Sequence, residues 1–106
     1  MKNNQKECFE ILVGLNVTDS LMYQTYRANM MPILHSYGGQ FGYDFIVSEV
    51  LISETNHEIN RVFTIRFLSK NKMEAFFKDE DYKMVKAKYF TNSVESTTII
   101  SSYIKQ

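Results

Sequence analysis

Two histidines, one cysteine, seven tyrosines and twelve acids are the side chains of this 106-residue sequence that could do chemistry. Their spacing argues against most of it. No Cys-x-x-Cys, His-x-x-x-His or Gly-x-Ser-x-Gly pattern occurs, so metal-centred and serine-hydrolase chemistry are disfavoured, and neither a metal nor a cofactor is expected. His57 has Glu54 and Glu58 beside it, but it falls in a polar hairpin loop, which cannot preorganise a metal site, so it reads as solvated. His35 belongs to the last turn of a helix, where a cationic imidazole suits the dipole, with a ligand or base role as the alternative. Cys8 reads as a small apolar strand residue; a lone cysteine forms no internal disulfide and fits a reducing compartment.

The aromatics are more informative. Seven tyrosines and eight phenylalanines, with no tryptophan, can line an apolar space that still offers hydroxyls, and each buried hydroxyl needs a partner. A tyrosine stripe is ordinarily core. If the chain has a pocket, however, its candidate lining is Tyr23, Tyr26, Tyr43, Phe77 and Tyr82, with His35 as a polar handle.

The elements that must position these residues can be read in order. Residues 8–17 alternate, with Phe9, Ile11, Val13, Leu15 and Val17 on one face and Glu10, Leu12, Gly14 and Asn16 on the other. Thr18-Asp19 offers an N-cap for a helix over about 20–37, in which Pro32 predicts a kink and Gly38 a left-handed C-cap. Residues 40–53 predict a long strand whose apolar parity flips, which calls for a β-bulge near Ser48-Glu49. A polar hairpin loop over 53–60 leads to the cleanest strand, 61–68. Ser69 caps a short helix with Met73, Phe76 and Phe77, and Asp79-Glu80-Asp81 opens a second piece with Tyr82, Val85 and Tyr89 inward. The β-branched run 96–104 closes the sheet.

Strand, helix, strand, strand, helix, strand predicts an α+β, ferredoxin-like βαββαβ sandwich over 1–106, with 1–7 as a polar N-terminal tail. Its antiparallel sheet has strand order 4-1-3-2, with the helices on one face. The other face then needs a cover. Leu12, Val62 and Thr64 on it predict a homodimer, and Glu10 and Arg66, facing each other on the first and third strands, predict a structural ion pair there.

Twelve basic residues balance twelve acidic ones, so no electrostatic footprint for nucleic acid exists. RNA-recognition motifs share the element order, but Arg61-Val62-Phe63-Thr64-Ile65-Arg66-Phe67 lacks their glycine and would expose Val62, Thr64 and Arg66 rather than stacking rings. No apolar run reaches membrane-span length and the start carries no apolar leader, so a cytoplasmic protein with neither membrane nor nucleic-acid partners is expected.

The run Val17-Thr18-Asp19, then Tyr23, Tyr26, Pro32 and Tyr37-Gly38-Gly39, followed by Arg61-Val62-Phe63, Phe67, Ser69, Phe76-Phe77 and Tyr82, resembles the domain-of-unknown-function family numbered 1330 over about 8–104. The resemblance implies the ferredoxin-like fold and association as a dimeric α/β barrel; it implies no settled activity. Similar barrels include cofactor-poor monooxygenases, haem-degrading enzymes and lactone isomerases. A small-molecule-binding protein, as an enzyme on a small organic substrate or alternatively as a non-catalytic ligand sensor, is therefore the expectation, with catalysis left open and no catalytic residue assigned. The chain departs from the family pattern at Phe41-Gly42-Tyr43, where many relatives carry a basic residue and two glycines, and at Arg66, where many carry an acid. An acid-dependent activity at position 66 would not transfer.

Overall fold

The alternation of the first strand is realised as a sheet with two unlike faces. The computed structural model describes residues 7–106, so the polar tail expected over 1–7 lies, but for Glu7, outside the described residues. Strand β1 (Cys8–Val17) sends Ile11, Val13 and Leu15 into the core and is flanked by β3 (Arg61–Phe67), which adds Phe63, Ile65 and Phe67, and by β4 (Val94–Lys105). With β2 (Gln40–Ile46) the sheet order is β2-β3-β1-β4, every neighbour antiparallel, which is the expected 4-1-3-2.

Helix α1 (Ser20–Ser36) begins where Asp19 accepts from the Met22 amide at 3.0 Å, and it buries Tyr23, Tyr26, Met30 and Leu34, a stripe at spacings of three and four. It runs through Pro32 and ends in a Schellman turn. The Gly39 amide donates to Leu34 and the Gly38 amide to His35, and Gly38 takes the φ of +78° that such a turn requires. Helix α2 (Lys70–Lys78) is capped by Ser69. Helix α3 (Glu80–Val85) is capped by Asp79 and continues into a π-helical turn over Lys86–Phe90. Asp79 does double duty: one oxygen caps the Tyr82 amide (2.9 Å) while the other accepts from the Tyr37 hydroxyl (2.7 Å), tying the end of α1 to the start of α3. These hydrogen bonds, that from Tyr37 first, hold the Asp79 carboxyl below the usual carboxylate range.

Two expectations about β2 need correction. The strand ends at Ile46, not at residue 53, and its irregularity lies between Phe41 and Asp44, not at Ser48-Glu49. The cause is local. Gly42 passes so close to β3 that a Cβ there would come within 2.5 Å of Thr64 Oγ1, and this oxygen accepts the Tyr43 amide at 2.8 Å. Phe41 therefore faces the core beside Ile65, while Phe45 falls opposite Val62 on the other face.

The second face is partly covered by the chain itself. The β2–β3 loop folds back so that Ile59 lies against Gly14, whose missing side chain makes the room. Asn60 copies a strand: its side chain accepts from the Val17 amide (2.8 Å) and donates to the Val17 carbonyl (2.9 Å), while its own amide donates to Leu15. His57, exposed as expected, shares a hydrogen bond with Thr98 (2.9 Å). No helix among the described residues is long and apolar enough to cross a membrane.

Candidate functional site

Between the helices and the sheet lies a cavity of about 240 Å³. Ile11, Val13 and Ile65 form its floor, Tyr23, Tyr26 and Met30 of α1 one wall, and Phe76, Phe77, Tyr82 and Phe90 the opposite wall, with Lys86 at the rim. Tyr23, Tyr26, Phe77 and Tyr82 are thus brought together as the spacing predicted. Tyr43 and His35 are not. Tyr43 is 61% exposed and stacked on Phe45, because the bulge at Gly42 turns it off the core side. His35 follows Leu34 by one residue, roughly 100° around the helix from the buried stripe, and faces solvent.

The buried polar groups of the cavity are phenols; Thr97 and Lys86, which also line it, are exposed. Tyr26 and Tyr82 are 5% and 4% exposed, and their hydroxyls meet at 2.9 Å. Burial pushes both phenols above their ordinary range, so both are neutral at physiological pH. Tyr23, also raised by burial, accepts a hydrogen bond from Arg27 Nε (2.8 Å).

Arg27 is a residue that the sequence reading missed. Its guanidinium lies 3.8 Å from the centre of the Phe41 ring and 3.3 Å from Asp44, which in turn takes a fork of two bonds from Arg61 (2.8 and 2.9 Å). The signal available was its place four residues after Tyr23, on the same helix face. Lys86 and Phe90 follow Tyr82 by four and eight residues and were legible in the same way.

Burial alone would raise the Asp44 carboxyl, but hydrogen bonding and charge from Arg61 and Arg27 outweigh it and hold it below the usual carboxylate range. Its folded-state value is thus depressed, so the stabilisation is present above the unfolded value, about 3.9, and is lost as pH falls through the folded one. Asp44→Asn is expected to cost about 1 kcal/mol at pH 7 and to converge with the wild type towards pH 3, as read by urea denaturation at the two pH values.

The expected ion pair is not formed as drawn. Glu10 and Arg66 do stand opposite each other in register, yet the Glu10 carboxylate takes the Tyr103 hydroxyl at 2.5 Å and lies 3.7 Å from Lys105. Arg66 instead turns to Gln40, whose amide oxygen, in the orientation that satisfies both groups, accepts at 2.8 and 3.2 Å. The β1–β4 register explains the exchange, since it sets Tyr103 directly opposite Glu10 on its other side. Glu10 is 3% exposed, and its second oxygen has no hydrogen-bond partner among the described residues.

Comparison with solved structures gives the fold. A protein of unknown function from Rhodopseudomonas palustris superposes with a TM-score of 0.79 at 16% identity, covering 98% of this chain and 86% of that one. A protein of the dabb family with a ferredoxin-like fold, from Mesorhizobium loti, gives 0.68 at 14% identity over 95% and 99%. A dimeric protein of unknown function with a ferredoxin-like fold, from Bacteroides fragilis, gives 0.59 at 9% identity over 91% and 94%. No curated protein matches the sequence. With the aromatic stripe, the Gly38-Gly39 turn and the sheet order in place, the match of residues 11–103 to a family model settles the affiliation: the chain belongs to the family described as domain of unknown function, DUF1330.

Proposed function

We propose that this protein is a homodimer that binds a small organic molecule in the cavity between its helices and its sheet. One observation carries the reading: an apolar cavity of about 240 Å³ into which a hydrogen-bonded pair of neutral hydroxyls is built. Packed cores hold few voids larger than a water molecule, and engineered apolar cavities of about 150 Å³ already take up benzene. Tyr23, Tyr26, Phe77 and Tyr82 are the ligand-facing residues in this reading.

The dimer is supported by shape and by exposed apolar surface. The chain measures 49 × 34 × 17 Å with a radius of gyration of 14.6 Å, against about 13 Å for a compact chain of this length. Phe45 and Tyr43 on the uncovered part of the second sheet face, and Leu51 and Ile52 in the adjoining loop, are more than half exposed. A second copy seated there would bury them, and the Bacteroides fragilis relative is itself described as dimeric. Sedimentation at micromolar concentration is expected to give a dimer, and Phe45→Glu a monomer. A wild-type monomer would overturn the assembly.

An enzymatic role is favoured by the same hydroxyl pair, since a fixed neutral donor can polarise a carbonyl in a dry site. A thermal-shift screen of the purified protein against a metabolite library, followed by mass spectrometry of each hit for turnover, tests both readings. Binding with product formation makes the protein an enzyme, and binding without it makes it a sensor. A screen without any hit overturns the ligand site.

A further inference from the structure

The Tyr26 and Tyr82 hydroxyls carry two protons and share one hydrogen bond. In such a pair one oxygen donates and the other accepts, so one phenolic proton has no acceptor within the pair. Neither hydroxyl has a further partner among the described residues, and the side chains beside them, Met30, Phe76, Phe77 and Phe90, offer aromatic and aliphatic surface. Whichever hydroxyl donates to the other, the pair keeps one phenolic proton for a third group. Because both phenols stay neutral, it remains available across the physiological pH range.

We propose that the Tyr26–Tyr82 pair, held by its mutual hydrogen bond, donates its spare phenolic proton to an oxygen of the ligand, and that the ligand is a neutral, ring-sized carbonyl compound. This inference rests on the cavity being the ligand site. Size follows from the volume, which exceeds what benzene needs and suits one or two fused rings. Neutrality follows from the lining. A carboxylate would lose its hydration there with no free cation to replace it, since Lys86 is exposed at the rim and Arg27, behind Tyr23 and Phe41, is engaged by Asp44. A carbonyl oxygen needs only one donor, and the pair offers one. The Tyr26–Tyr82 arrangement also gives selectivity, because an analogue without the acceptor leaves a buried hydroxyl proton unpaired.

The test compares α-tetralone with 1-methylenetetralin, which keeps the shape and replaces the carbonyl oxygen with CH₂. Calorimetric titration of the wild-type protein is expected to favour the ketone about five-fold, the worth of one neutral hydrogen bond. The double variant Tyr26→Phe/Tyr82→Phe should bind the two compounds equally, while either single variant, which retains one phenolic proton, should keep a preference for the ketone. In the wild type the infrared carbonyl band of bound tetralone should shift to lower frequency than in an alkane solvent, and in the double variant the shift should vanish. The wild-type comparison and its infrared band need no variant, so a folding defect cannot shield the proposal. Equal binding of both compounds by the wild type, or a preference surviving in the double variant, overturns the proposal and leaves the cavity standing as a ligand site. Failure of both compounds to bind the wild type overturns the two together.

Discussion

Phe76→Ala is expected to cost about 3–5 kcal/mol, a large share of the about 5–15 kcal/mol that holds a domain of this size together. Phe76 has no solvent exposure, and its ring centre lies 4.3 Å from that of Tyr82, 5.0 Å from Phe77, 5.7 Å from Phe67 and 6.1 Å from Tyr37. Truncation therefore removes the ring against which β3, α3 and the end of α1 all pack. Its neighbour supplies the control. Phe77 also lines the cavity but is 39% exposed, so Phe77→Ala should cost about 1–2 kcal/mol, because less area leaves the protein interior. Urea denaturation of the two variants checks the order. A Phe77→Ala loss as large as that of Phe76→Ala would mean that the helical layer is packed differently.

The second large effect belongs to the carboxylate on the far side of the sheet. Tyr103→Phe is expected to cost about 1.5–3 kcal/mol, since it removes a hydrogen bond to a charged group and leaves the buried Glu10 with neither oxygen hydrogen-bonded among the described residues. The Glu10 carboxylate it donates to also holds the Tyr103 phenol above its ordinary range. A double-mutant cycle of Glu10→Gln with Tyr103→Phe should show a coupling of about 1–2 kcal/mol, whereas the cycle of Glu10→Gln with Arg66→Met should give close to zero. The two cycles together decide which neighbour holds the charge. Strong coupling to Arg66 would restore the pair that register alone suggests.

The contrast between Glu10 and Tyr82 shows where sequence legibility ends. Period-two alternation carried β1 and β3 to the residue, and with them the register that puts Glu10 opposite Arg66. What a carboxylate does with its two neighbours across a sheet depends on the opposite flank as well, and the placement of Tyr103 there follows from a shift in the β1–β4 register that no pattern in 94–105 announces. Period 3.6 likewise found Tyr23, Tyr26 and Tyr82 on inward stripes. That the stripes leave space between them, rather than closing on each other, is a matter of side-chain volumes across three elements. Tyr43 was misplaced for a more local reason: one glycine against Thr64 moved the parity change six residues earlier than the apolar pattern suggested.

The two register shifts between β1 and β4, at Leu12/Val13 and Asn16/Val17, have a consequence for how the molecule avoids its own kind. β4 is an edge strand of twelve residues, and its stretch Ser96-Thr97-Thr98-Ile99-Ile100-Ser101 is uncharged, β-branched and free of proline, the composition that stacks readily into fibrils. A long straight edge of this kind would template the addition of another strand. Each shift interrupts the ladder and coils the strand, so the hydrogen-bonding groups on its outer rim do not present a continuous straight row. Edge-to-edge polymerisation is thereby discouraged by backbone geometry rather than by charge, and substitutions that straighten β4 should reveal themselves first as aggregation, before any loss of fold.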